Sequence, residues 1–201
     1  MRLNKQIVIA LVIMIATSAL YRVMPGRPYG FAPQIAIALF GGSLFSKNKQ
    51  YAFLLPILSM FISDLLYQVL FIYHLSPIEG FYSGQLLNYV LIAGTAVFGF
   101  GLQNNKVSKF VVGFLAAPTV YFLVSNFLVW AAGGGYHHAL NMTGLVQTMV
   151  DGLPFYPYSV AGTLVFGASR AILIFFFIRR FISFNIIVHC TFMFGLFDFI
   201  I

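Results

Sequence analysis

The chain is expected to be an all-α integral membrane protein, a bundle of six transmembrane helices with its N-terminus in the cytoplasm. Composition is the first reason. Hydrophobic residues make up 61% of the 201 and charged residues 7%, with 24 Phe and a mean hydropathy of +0.95. A soluble domain of this length cannot bury so much apolar side chain. Basic-residue placement is the second. Eight of the eleven Lys and Arg residues fall as four pairs, Arg2/Lys5, Lys47/Lys49, Lys106/Lys109 and Arg179/Arg180. Basic residues flanking spanning helices collect on the cytoplasmic side. Each interval between pairs is long enough for one crossing and a return, so the pairs predict three out-and-back excursions. The net charge of +7, which would suggest nucleic acid in a soluble chain, is then mostly a topology signal. The single cysteine, Cys190, excludes an intramolecular disulfide and a Cys-rich metal framework.

Each span needs about 20 mostly apolar residues. Residues 5–24 supply the first, ending at Tyr21-Arg22. Ala16, Ser18 and Ala19 resemble a signal-peptide cleavage region, but the span is expected to be retained, because it must return Lys47 and Lys49 to the cytoplasm. An outer loop follows at Pro25-Gly26-Arg27-Pro28-Tyr29-Gly30. The second span, about 31–46, is short and carries the small pair Ala38/Gly42, which permits close helix approach. The third, about 51–74, runs outward through Pro56 and Asp64, and the fourth, about 84–102, returns with Asn88 near its outer end. The fifth, about 109–132, ends in Ser125-Asn126 and Trp130. Residues 133–155 form the longest loop, with Gly133-Gly134-Gly135-Tyr136-His137-His138 and a middle stretch suited to a short re-entrant helix. The sixth, about 156–178, opens at Tyr156-Pro157-Tyr158-Ser159 and carries Arg170 near its inner end. This places the membrane domain at 1–180. Residues 181–201 are an apolar tail, either interfacial or an additional helix.

The topology brings separated polar residues to one depth. Asp64 lies about 20 Å from the inner end of its helix, in the outer half of the membrane. Asn88 is one turn below the outer surface, and Asn126 and Trp130 share a face as i and i+4. Tyr158 and Ser159 open the sixth helix at the same level, and Arg27, Tyr29 and Tyr136 come from loops above. The inner halves hold mainly Leu, Ile, Val, Phe and Gly. An outward-facing cavity is the expectation. An acid inside a span needs a partner or a cavity, so Asp64 is read either as structural, paired with Arg22 or capping a helix, or as a direct or indirect ligand contact, with proton relay as a third role. Asn88 and Asn126 are free to bind each other or a ligand.

Other chemistry lacks its residues. His137-His138 has no supporting Cys or carboxylate cluster for a metal site, and the triple glycine lacks the lysine and hydroxyl residue of a phosphate loop. There is no HExxH, no GxSxG and no pair of intramembrane carboxylates. No cofactor and no enzymatic activity are expected, and no motif for nucleotide binding could power transport.

The ordered series Arg27, Phe31-Ala32-Pro33-Gln34-Ile35-Ala36-Ile37-Ala38-Leu39-Phe40-Gly41-Gly42, Pro56 and Ser63-Asp64 resembles an uncharacterised family of small transport proteins. That family is itself similar to the substrate-binding (S) components of energy-coupling-factor transporters. Ser125-Asn126-Phe127 with Trp130, then Tyr136 and Leu153-Pro154-Phe155, continue the resemblance, which covers about residues 15–170. It implies a six-helix vitamin-binding bundle in a bacterial cytoplasmic membrane, with ligand held on the outer side under loops. It also implies a membrane coupling protein and ATPase subunits as partners. The Ala-xxx-Ala spacing that S components carry on their first helix is here at Ala32/Ala36, on the second, and Met1-Arg2-Leu3 lacks the N-terminal His of nickel and cobalt subunits.

The leading expectation is a substrate-capture subunit for a small, vitamin-like organic nutrient. Its candidate binding residues are Asp64, Asn88, Asn126, Trp130, Tyr136, Tyr158 and Arg27, with aromatic walls and polar groups to orient the ligand. Alternatives are an autonomous secondary carrier coupled through Asp64 and a structural membrane scaffold. The first predicts internal inverted repeats, which the sequence does not display.

Overall fold

The structure, a computed structural model, describes residues 5–104 and 107–168. Arg2, Lys106, Arg170, the Arg179/Arg180 pair, the inner end of the sixth span and the 181–201 tail lie outside the described residues. The chain divides by its contacts after Gly167, and the unit Met1–Gly167 is the one described below. Its described residues are helical, without a strand.

In chain order the helices are α1 (Lys5–Val23), α2 (Gln34–Leu44), α3 (Lys49–Ile72), α4 (Gln85–Gly94), α5 (Ala96–Phe100), α6 (Val107–Ala131) and α7 (Met142–Gly152). A final helix, α8, occupies residues 156–168. Short 3₁₀ turns at Gly101–Asn104 and Leu153–Phe155 lead into α6 and α8. The helical stretches fall where the apolar runs predict them, with two differences. The second run is helical over only 11 residues, about 16 Å of rise. Pro33 caps α2 and biases Ala32 before it away from helical dihedrals, while Phe45 leaves the helix at the other end. The fourth run breaks at Thr95, between α4 and α5. The Thr95 hydroxyl donates to the Ile92 carbonyl at 2.6 Å, and its amide reaches both Leu91 and Ile92. Such back-bonding tightens and bends a helix. The long loop does contain a short helix, α7, capped by the Asn141 side chain accepting from the Gly144 amide at 2.9 Å.

α2 is the central element. Gln34 through Leu39, with Gly41 and Gly42, are all buried, and α3, α4, α5 and α6 pack around it. α3 faces it with a stripe at helical spacing: Ala52, Leu55/Pro56, Ser59/Met60, Ser63/Asp64 and Tyr67. Backbone meets backbone where α2 crosses α5. A Cβ added at Gly42 would lie 2.0 Å from the Ala96 carbonyl oxygen, and one at Gly99 would lie 2.2 Å from that of Leu39. Only glycine permits this approach. Ile35, Leu39, Met60, Ile92 and Phe114 fill the space on one side of α2, and Ile37, Phe45, Ala52 and Leu55 on the other.

The outer faces are apolar too. Leu54, Leu58, Phe61, Ile62, Leu65 and Val69 of α3 are exposed, as are Val111, Val112, Leu115, Val120, Leu123 and Phe127 of α6. Two helices, Lys49–Ile72 and Ser108–Ala131, are long and apolar enough to cross a membrane. Buried residues make up only 39% and 22% of their most apolar windows, so most of that surface is not covered by the protein itself.

The two ends of the bundle differ. Lys49 sits over the Phe100 ring at 5.8 Å, and Lys109 shares a groove with Gly101 and Leu102. Lys47, Lys49 and Lys109 therefore gather at the α2–α3 and α5–α6 turns. The buried acid and its partners lie toward the opposite end, where α1 and α3 finish and α4 begins.

Candidate ligand-binding site

Asp64 is 1% exposed on the inward stripe of α3. Burial of a carboxylate demands compensation, and three side chains from two helices converge to provide it. Arg22, in the last turn of α1, donates through Nη1 to Asp64 Oδ1 and also to Ser63 Oγ at 2.6 Å. Gln85 Nε2 and the Tyr89 hydroxyl, one turn apart on α4, each donate to Oδ2 at 2.6 Å. Gln85 also donates to the Gly80 carbonyl at 2.9 Å, pinning the turn before α4. That turn comes close to α3, and a Cβ at Gly80 would lie 2.0 Å from the Asp64 carbonyl oxygen. Tyr67 and Arg27 both donate to the Arg22 carbonyl, at 2.5 and 2.6 Å, which closes the end of α1. The hydrogen bonds of the Arg22 side chain to described residues all use Nη1.

Beside this network lies a cavity of about 320 Å³. Arg22 and Met60 form one wall, Asn88 and Ile92 of α4 a second, and Tyr121, Phe122, Ser125 and Asn126 of α6 a third. Tyr156 and Ser159 of α8 complete the circuit, with Ala32, Gln34 and Ile35 at the start of α2. Gly30 and the segment from Gly152 to Phe155 cover it. These covers touch one another: the Tyr29 and Phe155 rings meet edge to face at 6.5 Å, and a Cβ at Gly30 would lie 2.6 Å from the Phe155 carbonyl oxygen. Gly30 has φ +86°, a conformation that favours glycine.

The lining is polar in a specific way. Asn88 Oδ1 accepts from the Tyr121 hydroxyl at 2.7 Å, and its Nδ2 donates to the Tyr82 hydroxyl at 3.1 Å. Asn126 Nδ2 donates to the Phe122 carbonyl at 2.8 Å. The Tyr156 hydroxyl shares a hydrogen bond with Thr119 at 2.8 Å. Gln34 stands apart from these. It is 3% exposed, and neither its Nε2 nor its Oε1 has a hydrogen-bond partner among the described residues. α2 also starts without a side-chain cap, so its positive dipole end is directed at this region unshielded by a capping group.

Of the residues expected to bind substrate, Asn88 and Asn126 meet at this cavity, each with its own partner rather than each other. Asp64 lies behind the wall, paired with Arg22 as one of its expected roles required. The others point elsewhere. Trp130 Nε1 donates to the Ala139 carbonyl at 3.0 Å, and its ring lies tilted at 47° against that of Phe127. Tyr136 and Tyr158 are exposed. Arg27 lines a separate groove with Tyr67, Met24 and the Leu75–Ile78 turn. His138 Nε2 pairs with Asp151 Oδ2 at 2.6 Å, linking the long loop to α7.

Arg22, Gln34, Tyr121, Ser125, Tyr156 and Ser159 are the polar cavity residues that sequence reasoning left out of its binding set. One signal for α8 was available: Tyr156, Ser159 and Thr163 follow i, i+3, i+7 spacing and define a polar stripe that Tyr158 does not share.

No curated protein and no solved structure matches the chain. A family model matches residues 2–183, nearly the whole sequence, and on that match the chain belongs to a family of unknown function (DUF6580).

Proposed function

We propose that this protein is a six-pass membrane protein of the cytoplasmic membrane that captures a small polar organic molecule from the outer side. The observation that carries the reading is the cavity with a buried, unsatisfied amide in its wall. Leaving a buried donor or acceptor without a partner costs about 1–3 kcal/mol, and Gln34 leaves one of each. A bound molecule would offset that cost. The cavity volume is at the lower end of the range for small-molecule sites. Exposed apolar faces on α1, α3 and α6 support the membrane assignment, and the gathering of Lys47, Lys49 and Lys109 at one end supports a cytoplasmic location for that end.

The resemblance to S components supports a role as the capture subunit of an uptake system, with a coupling protein and ATPases supplying the energy. Asp64 is a poor coupling group for an autonomous carrier, because both its oxygens are held: Oδ1 by Arg22, Oδ2 by Gln85 and Tyr89 together. A scaffold has no use for a cavity with an unpartnered buried amide in its wall.

Native mass spectrometry of the protein gently extracted from its own membranes tests the proposal. The expected result is a discrete small-molecule adduct that disappears in Asn126→Ala, with ATPase-sized partners co-migrating. A protein that remains bare under every extraction condition would overturn the capture reading.

A further inference from the structure

The cavity carries more information than its existence. Gln34 is buried at 3% exposure, lines the cavity and has both amide heteroatoms unpartnered among the described residues. A primary amide presents a donor and an acceptor side by side in one plane. Its complement is an acceptor and a donor side by side, as on a carboxamide, a lactam or an amino-substituted nitrogen heterocycle. The same bidentate geometry lets Gln and Asn read the edge of adenine. A carboxylate is no match, since it offers only acceptors and would set a lone pair against Gln34 Oε1.

Charge agrees with this. Among the described residues Arg22 is the only formally charged one lining the cavity, and its partner Asp64 balances the charge. An ionised ligand would find no counter-charge left in this lining to meet it. Asn88, already fixed at both ends by Tyr121 and Tyr82, makes a rigid wall rather than a competing reader.

We infer that Gln34 is the specificity-determining residue of the site and reads a neutral, planar donor–acceptor edge on the captured molecule. This rests on the capture reading.

The test uses the purified full chain in lipid nanodiscs and four single-ring probes, with binding followed by saturation-transfer NMR titration. Benzamide carries the donor–acceptor edge, N,N-dimethylbenzamide and benzoate carry acceptors only, and benzamidine carries donors only. Benzamide is expected to bind at least about tenfold tighter than the two acceptor-only probes, because a site built to hydrogen-bond rejects analogues lacking the partner. Gln34→Leu should abolish that preference. Gln34→Glu, nearly the same shape, should turn it toward benzamidine, whose two donors match a carboxylate. Thermal unfolding of each variant verifies that it is folded.

Equal binding of benzamide and N,N-dimethylbenzamide, or a preference that survives Gln34→Leu, would overturn the inference. So would a natural adduct in native mass spectrometry that binds Gln34→Leu as tightly as the parent, and in that case the capture reading would stand. Absence of both probe binding and a natural adduct would remove the capture reading, and this inference with it.

Discussion

Replacing Asp64 by Asn isolates the buried ion pair. The substitution keeps the shape and the Oδ1 acceptor facing Arg22, but removes the negative charge from a position only 1% exposed. It also exchanges Oδ2, which accepts from both Gln85 Nε2 and the Tyr89 hydroxyl, for an amino group. Tyr89 can rotate its hydroxyl to accept, but Gln85 Nε2 is held by the Gly80 carbonyl and remains a donor facing a donor. Arg22 is left with an uncompensated charge, its side chain 14% exposed. Breaking one side of a buried pair costs about 3–5 kcal/mol. For a chain of this size each kcal/mol lowers Tm by roughly 2–4 °C, so a fall of about 6–20 °C is expected. Removing both charges with Arg22→Met/Asp64→Leu should recover most of the loss, since an apolar pair of similar volume is often as stable as a buried ion pair. Thermal unfolding in nanodiscs, followed by far-UV circular dichroism, measures both variants. A Tm for Asp64→Asn within about 2 °C of the parent, or a double variant less stable than the single one, would refute the reasoning.

Three further outcomes are expected. Gly99→Ala places a methyl group 2.2 Å from the Leu39 carbonyl oxygen and 2.8 Å from the Gly42 Cα, so α2 and α5 must separate; a loss of about 1–3 kcal/mol for such overpacking should appear as a lower Tm. Gly152→Ala leaves the backbone at ease, at φ −78°, but its methyl would lie 2.5 Å from Asn126 Oδ1; the fold should survive while adduct retention in native mass spectrometry falls, and unchanged retention would show that Asn126 does not touch the ligand. On a Cys190→Ser background, Lys47→Cys and Tyr136→Cys should react with a membrane-impermeant maleimide from opposite sides of sealed vesicles, and labelling from one side only would sink the six-pass topology.

Helix positions are readable in this sequence because lengths of apolar chain broken by Pro, Gly and Lys leave few places for turns. Helix phase is harder. Tyr156 and Tyr158 are two residues apart and equally polar, yet one lines the cavity and the other is exposed, because that spacing turns a helix more than half way round. The shortness of α2 is invisible in composition: Phe31, Ala32, Phe45 and their neighbours continue the apolar run past both ends of the helix. Asn88 and Asn126 stand out because an amide within an apolar run is conspicuous at any phase. Gln34 does not, because beside Pro33 it passes for part of a loop. Arg22 and Asp64 are legible as charges in need of partners, but Gln85 and Tyr89 join them only across 21 and 25 residues of chain.

The late start of α2 has a consequence for how such a chamber can change. α2 rises about 16 Å, little more than half the depth of a hydrocarbon layer of about 30 Å. The cavity lies at the end of α2 that Pro33 sets, where Ala32, Gln34 and Ile35 line it. Its depth is adjustable by moving one proline along the chain, a turn deeper or shallower, while the surrounding helices keep their places. Selection acting on a single residue that contacts no ligand would then resize the site in steps of about 5 Å.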